Sequence, residues 1–281
     1  VLLNNDDDLL PLASGSKLNV FGWASTKPIL GGAGSGALND AYPTTDILTS
    51  LADAGFETNT ELTSFYTEYQ PERPVVGMWA QDWTLPEPNV SKYSDDLIAN
   101  AKAFSDTAMI VISRSGGEGA DLPSGLPELE EYMTDGHYLR LCKEEIDMFE
   151  NLEQLKKYGV FKKIVVLLNS SNALQLDFVD SYGIDAVLWI GDVGMTGINA
   201  VADILVGDVN PSGRIVDTFL KDNHSAPAMQ NFGAYKYTNA ADYDTATAQN
   251  NTDPGIGKCN SDFLVYAEGI YVGYRYFETR Y

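Results

Sequence analysis

Histidine and cysteine are nearly absent from this chain, two of each, so chemistry that depends on clusters of them is the first to be excluded. His137 and His224 have no Cys or carboxylate at zinc-ligand spacing beside them, and no metal or other cofactor is expected. No G-x-S-x-G follows a strand-like run, which removes a serine triad and leaves helix capping as the ordinary role for His137. Cys142 and Cys259 cannot form a disulfide framework; Cys142 reads as a packed free thiol in a helix, and the redox compartment stays open. Basic residues are also scarce, 18 against 40 acidic ones for a net charge of −22. Phosphate backbones are bound by clustered Lys and Arg, so no nucleic-acid partner is expected. A neutral ligand such as a sugar suits this charge, and so does a plain solubilising role. No apolar run approaches the roughly 18 residues of a membrane helix, and no basic-then-apolar leader opens the chain. Val1 is not a start methionine; both ends read as cuts in a longer protein, which leaves the parent's destination open. Internal repeats and low-complexity linkers are lacking too, so residues 1–281 are expected to form a single domain.

What is present is an apolar share of 44%, enough for a substantial core, distributed as short apolar runs alternating with longer amphipathic stretches. That pattern predicts an α/β fold with helices on both faces of a mostly parallel sheet. Leu18–Gly22, Ala108–Ser113, Lys163–Leu168 and Ala186–Ile190 are buried-type strands rich in Val, Ile and Leu. Asp46–Ala54, stopped by Gly55, and Asp95–Phe104, capped by Ser94, read as helices. The longest helix is expected from about His137 to Tyr158, with Leu141, Met148, Leu152 and Leu155 on one face and its charges solvated. Gly191–Val206 reads as a stretch that packs through Ala200, Ile204 and Leu205 while its glycines permit close approach to the sheet. A turn at Asn210–Gly213, a long loop from Asn223 to Asp262 and a last strand at Ile270–Phe277 complete the chain.

Chemistry is best placed at Ser113-Arg114-Ser115-Gly116-Gly117-Glu118-Gly119-Ala120-Asp121, directly after a buried strand. Loops at the carboxyl ends of strands line the ligand crevice of open α/β sheets. Glycines on both sides of Glu118 free its backbone to project the carboxyl group outward, as a proton donor reaching across a cleft must. The plain alternative is that Glu118 and Asp121 solvate a turn while Arg114 makes an ion pair. A second glycine-rich phrase, Gly31–Ala37, contains G-x-G-x-x-A from Gly32. Trp23 to Leu30 separate it from the strand, which argues against dinucleotide binding and for a flexible loop or the rim of a glycan site. Trp79 and Trp83, with Asp82, form either a stacking edge for sugar rings or buried loop anchors.

Four phrases in one order resemble the second domain of family 3 glycoside hydrolases. Val1–Asp6 and Leu9–Leu12 are similar to its V-L-L-K-N-D lead-in and L-P-L; Ser113-Arg114, Gly117-Glu118-Gly119 and Asp121 resemble S-R-x-S-G-E-G-x-D. Ala202–Leu205, Gly207, Asn210–Arg214 and Thr218-Phe219 resemble A-D-x-L-x-G-x-x-N-P-S-G-R; Tyr266, Glu268–Ile270 and Gly273–Phe277 resemble Y-x-E-G-I-x-V-G-Y-R-Y-F. The resemblance implies a three-layer α/β/α sandwich with a mostly parallel sheet of about six strands. It also implies a partner, a (β/α)8 barrel of the same parent that holds most of the sugar site and the nucleophile.

Glu118 would then be the acid/base of a retaining, exo-acting, β-glucosidase-like hydrolase, with Arg114, Asp121, Trp79 and Trp83 as candidate substrate contacts and no nucleophile in this chain. Alone, the chain would hydrolyse nothing at a useful rate. Leu122 stands where the family often has Arg, and Gly116-Gly117 where Ser-Gly is commoner. The Gly31–Gly36 loop resembles a subgroup in which this domain can precede the barrel, and the closing phrase F-P-F-G-x-G-L-S-Y-T is not reached. The competing readings are a carbohydrate-binding or interaction module that kept the fold and lost catalysis, and a nucleotide-binding α/β protein.

Overall fold

The computed structural model describes residues 1–281 except 33, 40, 78–79, 120–121, 124–137, 231–234, 240–261 and 281. They fall into two compact units, Val1–Lys221 and Asp222–Tyr281.

In the first unit the strands are β1 (Leu2–Asn5), β2 (Lys17–Phe21), β3 (Glu57–Thr58), β4 (Val76–Gly77), β5 (Ala80–Gln81), β6 (Thr107–Ser113), β7 (Lys163–Asn169) and β8 (Ala186–Trp189). The helices are α1 (Ile47–Asp53), α2 (Thr60–Tyr69), α3 (Asp95–Phe104), α4 (Lys143–Lys157), α5 (Asp177–Ser181) and α6 (Ile198–Val206). Six strands make one sheet in the order β1-β8-β7-β6-β2-β3. All its pairings are parallel except that of β1, which runs antiparallel along β8. β4 and β5 pair apart from it as a small antiparallel ribbon.

The expected sandwich and its four core strands are present, each within a residue or so of the sequence reading. Their apolar runs are continuous because a parallel sheet between helices has no wet face: every residue of β6 is buried, and β7 is buried from Ile164 onward. α1 packs on α6, α2 and α3 pack on each other and on β2, and Phe149 of α4 meets Phe178 of α5 at 5.4 Å. Asp46 and Ser94 cap α1 and α3 by accepting the Thr49 and Leu97 amide hydrogens at 2.8 and 3.1 Å.

Two helical boundaries differ from expectation. The longest helix begins at Lys143, so Leu141 precedes it; His137 lies outside the described residues. Its charged face is not all solvated, since Glu145 is fully buried. The Gly191–Gly197 half of the next stretch is loop, and α6 packs through Ile198, Val201, Ala202 and Leu205 while Ala200 is exposed. Two helices of this unit, α2 and the short α5, had no counterpart in the sequence reading.

The second unit holds a short 3-10 turn (Asn223–Ser225), α7 (Pro227–Gln230), an antiparallel pair β9 (Tyr235–Lys236) and β10 (Asp262–Phe263), and α8 (Tyr274–Arg280). The strand expected at Ile270–Phe277 is therefore corrected: Tyr274–Phe277 are helical. Gly269 and Gly273 sit at φ of 57° and 59°, left-handed positions that break an extended run on both sides of Ile270–Val272.

Candidate active site

Parallel strands deliver their C-terminal ends to one edge of the sheet, where β2, β6 and β7 finish side by side, with β6 and β7 in register through Ser113 and Asn169. Asn169 is fully buried there and acts as a hub. Its Oδ1 accepts from the Ile29 N–H at 2.6 Å and from Ser113 Oγ at 3.0 Å, and its Nδ2 donates to the carbonyls of Ile29 at 2.9 Å and Gly191 at 2.7 Å. One amide side chain thus fixes the loops following β2, β6 and β8. At Gly22 the chain leaves β2 with φ 92°, and a Cβ would stand 2.4 Å from the Val111 carbonyl oxygen. Only glycine allows that approach.

Arg114 follows Ser113 and turns inward. It is 1% exposed and spends all five of its N–H donors inside the protein. Two go to the Glu145 carboxylate at 2.8 and 2.6 Å, and the others to the carbonyls of Tyr138, Ser113 and Arg140. Burial alone would lower its pKa, and the Glu145 carboxylate more than offsets this, holding the guanidinium charged. Arg114, a candidate substrate contact in the sequence, is thus placed in the interior with each of its donors engaged within the chain. Glu145 Oε2 also accepts the Cys142 N–H at 2.9 Å, tying the start of α4 to the loop.

Glu118 turns the other way. It is exposed, and its Oε2 accepts from the backbone N–H and the hydroxyl of Ser35 at 2.7 and 2.8 Å. Those two bonds, against a small opposing effect of burial, hold its carboxyl below the usual range. The second glycine-rich phrase thus stands against the first, on the side of its candidate carboxylate.

Beneath the loop, Arg73 stacks 4.9 Å over the Trp23 ring and donates to Ser113 Oγ at 2.9 Å and Ser115 Oγ at 3.4 Å. Burial lowers its pKa to about 10, opposed by Tyr138 and Asp192. Glu87, 3% exposed, accepts the Trp23 N–H at 2.9 Å and the Tyr93 and Tyr66 hydroxyls at 2.9 and 3.3 Å. Burial pushes its pKa up to about 8, despite those bonds.

Trp83 is 7% exposed and meets Tyr138 edge-on at 5.0 Å within a small cluster of Val76, Leu85, Tyr138 and Cys142. Of its two readings, the buried loop anchor holds. Trp79 and Asp121 lie outside the described residues. Sequence reasoning did not find Asn169, Arg73 or Glu87, and it reached Ser35 only as part of the Gly31–Ala37 phrase. Asn169 had a signal, the abrupt Asn169-Ser170-Ser171-Asn172 at the end of an apolar strand, and so had Ser35, set between two glycines. Arg73 and Glu87 lie in proline-rich irregular stretches with no period to mark them.

The sequence and the fold both have counterparts among known proteins. The family model described as the glycosyl hydrolase family 3 C-terminal domain matches residues 1–274. A beta-glucosidase of Ruminococcus albus is 30% identical over 99% of this chain and 25% of its own length. Beta-glucosidase A of Butyrivibrio fibrisolvens is 28% identical over 99% of this chain and 31% of its own. Among solved structures, a beta-glucosidase from Paenibacillus barengoltzii superposes with a TM-score of 0.74 at 28% identity, over 99% of this chain and 26% of that one. Beta-glucosidase 3B from Thermotoga neapolitana in complex with glucose gives 0.73 at 29% identity, over 100% and 34%. The chain spans about a quarter to a third of the length of these relatives.

Proposed function

This chain belongs to the glycosyl hydrolase family 3 C-terminal domain family, and from that premise we propose that it supplies Glu118 as acid/base to a sugar site completed by a (β/α)8 barrel of a longer, retaining, exo-acting β-glucosidase-like enzyme. By itself it is inactive, since retaining hydrolysis needs two carboxylates and the nucleophile belongs to the barrel. The substrate is a terminal β-linked glucoside or a related glycoside.

The reading is supported above all by one observation: Glu118 is an exposed carboxylate on a glycine-flanked loop at the C-terminal edge of the sheet, bonded to a serine and, among the described residues, in no ion pair. In the first step the barrel carboxylate forms a bond to the anomeric carbon as the bond to the leaving oxygen breaks. Glu118 gives its proton to that oxygen. In the second, Glu118, now ionised, takes a proton from water as its oxygen attacks the same carbon and the enzyme carboxylate departs. Arg114 serves this chemistry at a distance, by anchoring the start of the loop to α4.

The test uses the longer protein that carries this chain, as wild type and as Glu118→Ala, assayed on aryl β-glycosides with and without azide. Loss of turnover mainly on poor leaving groups, with azide restoring it as a glycosyl azide, is the expected result. Wild-type rates in Glu118→Ala would make this domain a structural or carbohydrate-binding partner of the barrel instead.

A further inference from the structure

The glycine-rich segment around Ser35 has no assigned part in the reaction, yet it makes the polar contacts to the Glu118 carboxylate. We propose that Ser35 is a positioning residue for the acid/base, holding Oε2 of Glu118 so that Oε1 is the atom that carries and returns the proton. This inference rests on the reading of Glu118 as acid/base. Both Ser35 donors converge on one oxygen, at 2.7 and 2.8 Å, across 83 residues of sequence. Among the described residues no hydrogen bond is made to Oε1.

Gly34 makes the approach possible. Its φ is +63°, and a Cβ there would stand 2.4 Å from Glu118 Oε2 and 2.8 Å from Glu118 Cβ, so any larger residue would push the carboxylate away.

An exposed glutamate has three side-chain torsions, and a proton donor must come within hydrogen-bond reach of the leaving oxygen in the right orientation. A tether on Oε2 removes much of that freedom while leaving Oε1 to face the substrate. The arrangement suits both steps. With the proton on Oε1, Oε2 is a carbonyl oxygen that still accepts both Ser35 donors; once the proton has left for the glycosidic oxygen, the same donors stabilise the anion that remains. The carboxyl lies below its usual pKa for that reason. Among the described residues, the charged groups around the loop include the Arg114–Glu145 pair at its start and Arg73, which is bonded to Ser115 and acted on by Asp192; the contact between Gln81 and the Gly119 carbonyl is neutral.

The experiment measures kcat/KM against pH for Ser35→Ala, Ser35→Thr and Gly34→Ala in the longer protein, on a glucoside with a poor leaving group. Ser35→Ala is expected to lower kcat/KM about tenfold and to move the basic limb of the profile upward, because one donor that stabilises the Glu118 anion is lost. Ser35→Thr restores both, and Gly34→Ala, which evicts the carboxylate with Ser35 intact, loses more rate than Ser35→Ala. A basic limb that stays at its wild-type position in Ser35→Ala, while azide rescues Glu118→Ala, leaves the acid/base standing and overturns the role of Ser35. Failure of azide rescue removes the acid/base itself, and with it this inference.

Discussion

Arg114 and Glu118 lie four positions apart in one loop, and both bind through charge, but the protein uses them in opposite ways. Arg114 is driven to 1% exposure, and its guanidinium is satisfied by Glu145 and three carbonyls. Glu118 is exposed and bonded to one serine through two donors on one oxygen. The buried ion pair sets where the loop starts; the exposed carboxylate is left with an oxygen available for a proton. Burial, more than residue type, separates scaffold from reagent here, because a desolvated charge must be fully paired whereas a solvated one can afford a free lone pair.

The sharpest way to break this comparison is to exchange the expected phenotypes. Glu118→Ala should cost roughly 100- to 10,000-fold in turnover on poor leaving groups and leave the thermal midpoint unchanged, as read by kinetics and melting in parallel. Arg114→Met should do the reverse: it strands Glu145 in the interior and destabilises the fold by about 3–5 kcal/mol, visible in denaturant titration. Adding Glu145→Leu to Arg114→Met should recover much of that stability, since removing both charges also removes the desolvation penalty. A single Arg114→Met variant with wild-type stability and a raised KM would restore the sugar-contact reading.

A second buried carboxylate sharpens the contrast further. Glu87 has no cation within ion-pair distance among the described residues, and burial lifts its pKa from 4.5 to about 8. The folded state therefore keeps a proton that the unfolded chain has lost between those values, so stability contributed by neutral Glu87 is complete below about pH 4.5 and declines as pH rises to about 8. The slope from this group is at most about 1.4 kcal/mol per pH unit. Glu87→Gln should flatten it, as measured by unfolding free energy across that range. The smallest effect is expected at Trp83: Trp83→Phe removes part of an edge-on contact with Tyr138 and should cost about 1–2 kcal/mol of stability, with KM for glycosides unchanged.

How much of this was visible beforehand depends on the range of the interaction involved. β2, β6, β7 and β8 were legible because a strand buried on both faces writes a continuous apolar run, α1 because Gly55 stops it, and α3 because Ser94 caps it within three residues. The strand read at Ile270–Phe277 failed in the opposite direction, since left-handed Gly269 and Gly273 interrupt the run and Tyr274 begins a helix. Glu145 looked like one more charge in Lys143-Glu144-Glu145; nothing local distinguishes it from Glu144.

The sequence by itself determined the parallel sheet, the family, and the loop that presents a carboxylate between glycines, for these depend on local burial patterns and contiguous motifs. Only the tertiary structure decided that Arg114 is an anchor, that Trp83 is core, and that Ser35 meets Glu118. Each of those outcomes joins groups from separate parts of the chain, 83 residues apart for Ser35 and Glu118 and 31 for Arg114 and Glu145. The free energy of such contacts comes from desolvation and geometry that exist only once the strands have set their ends side by side.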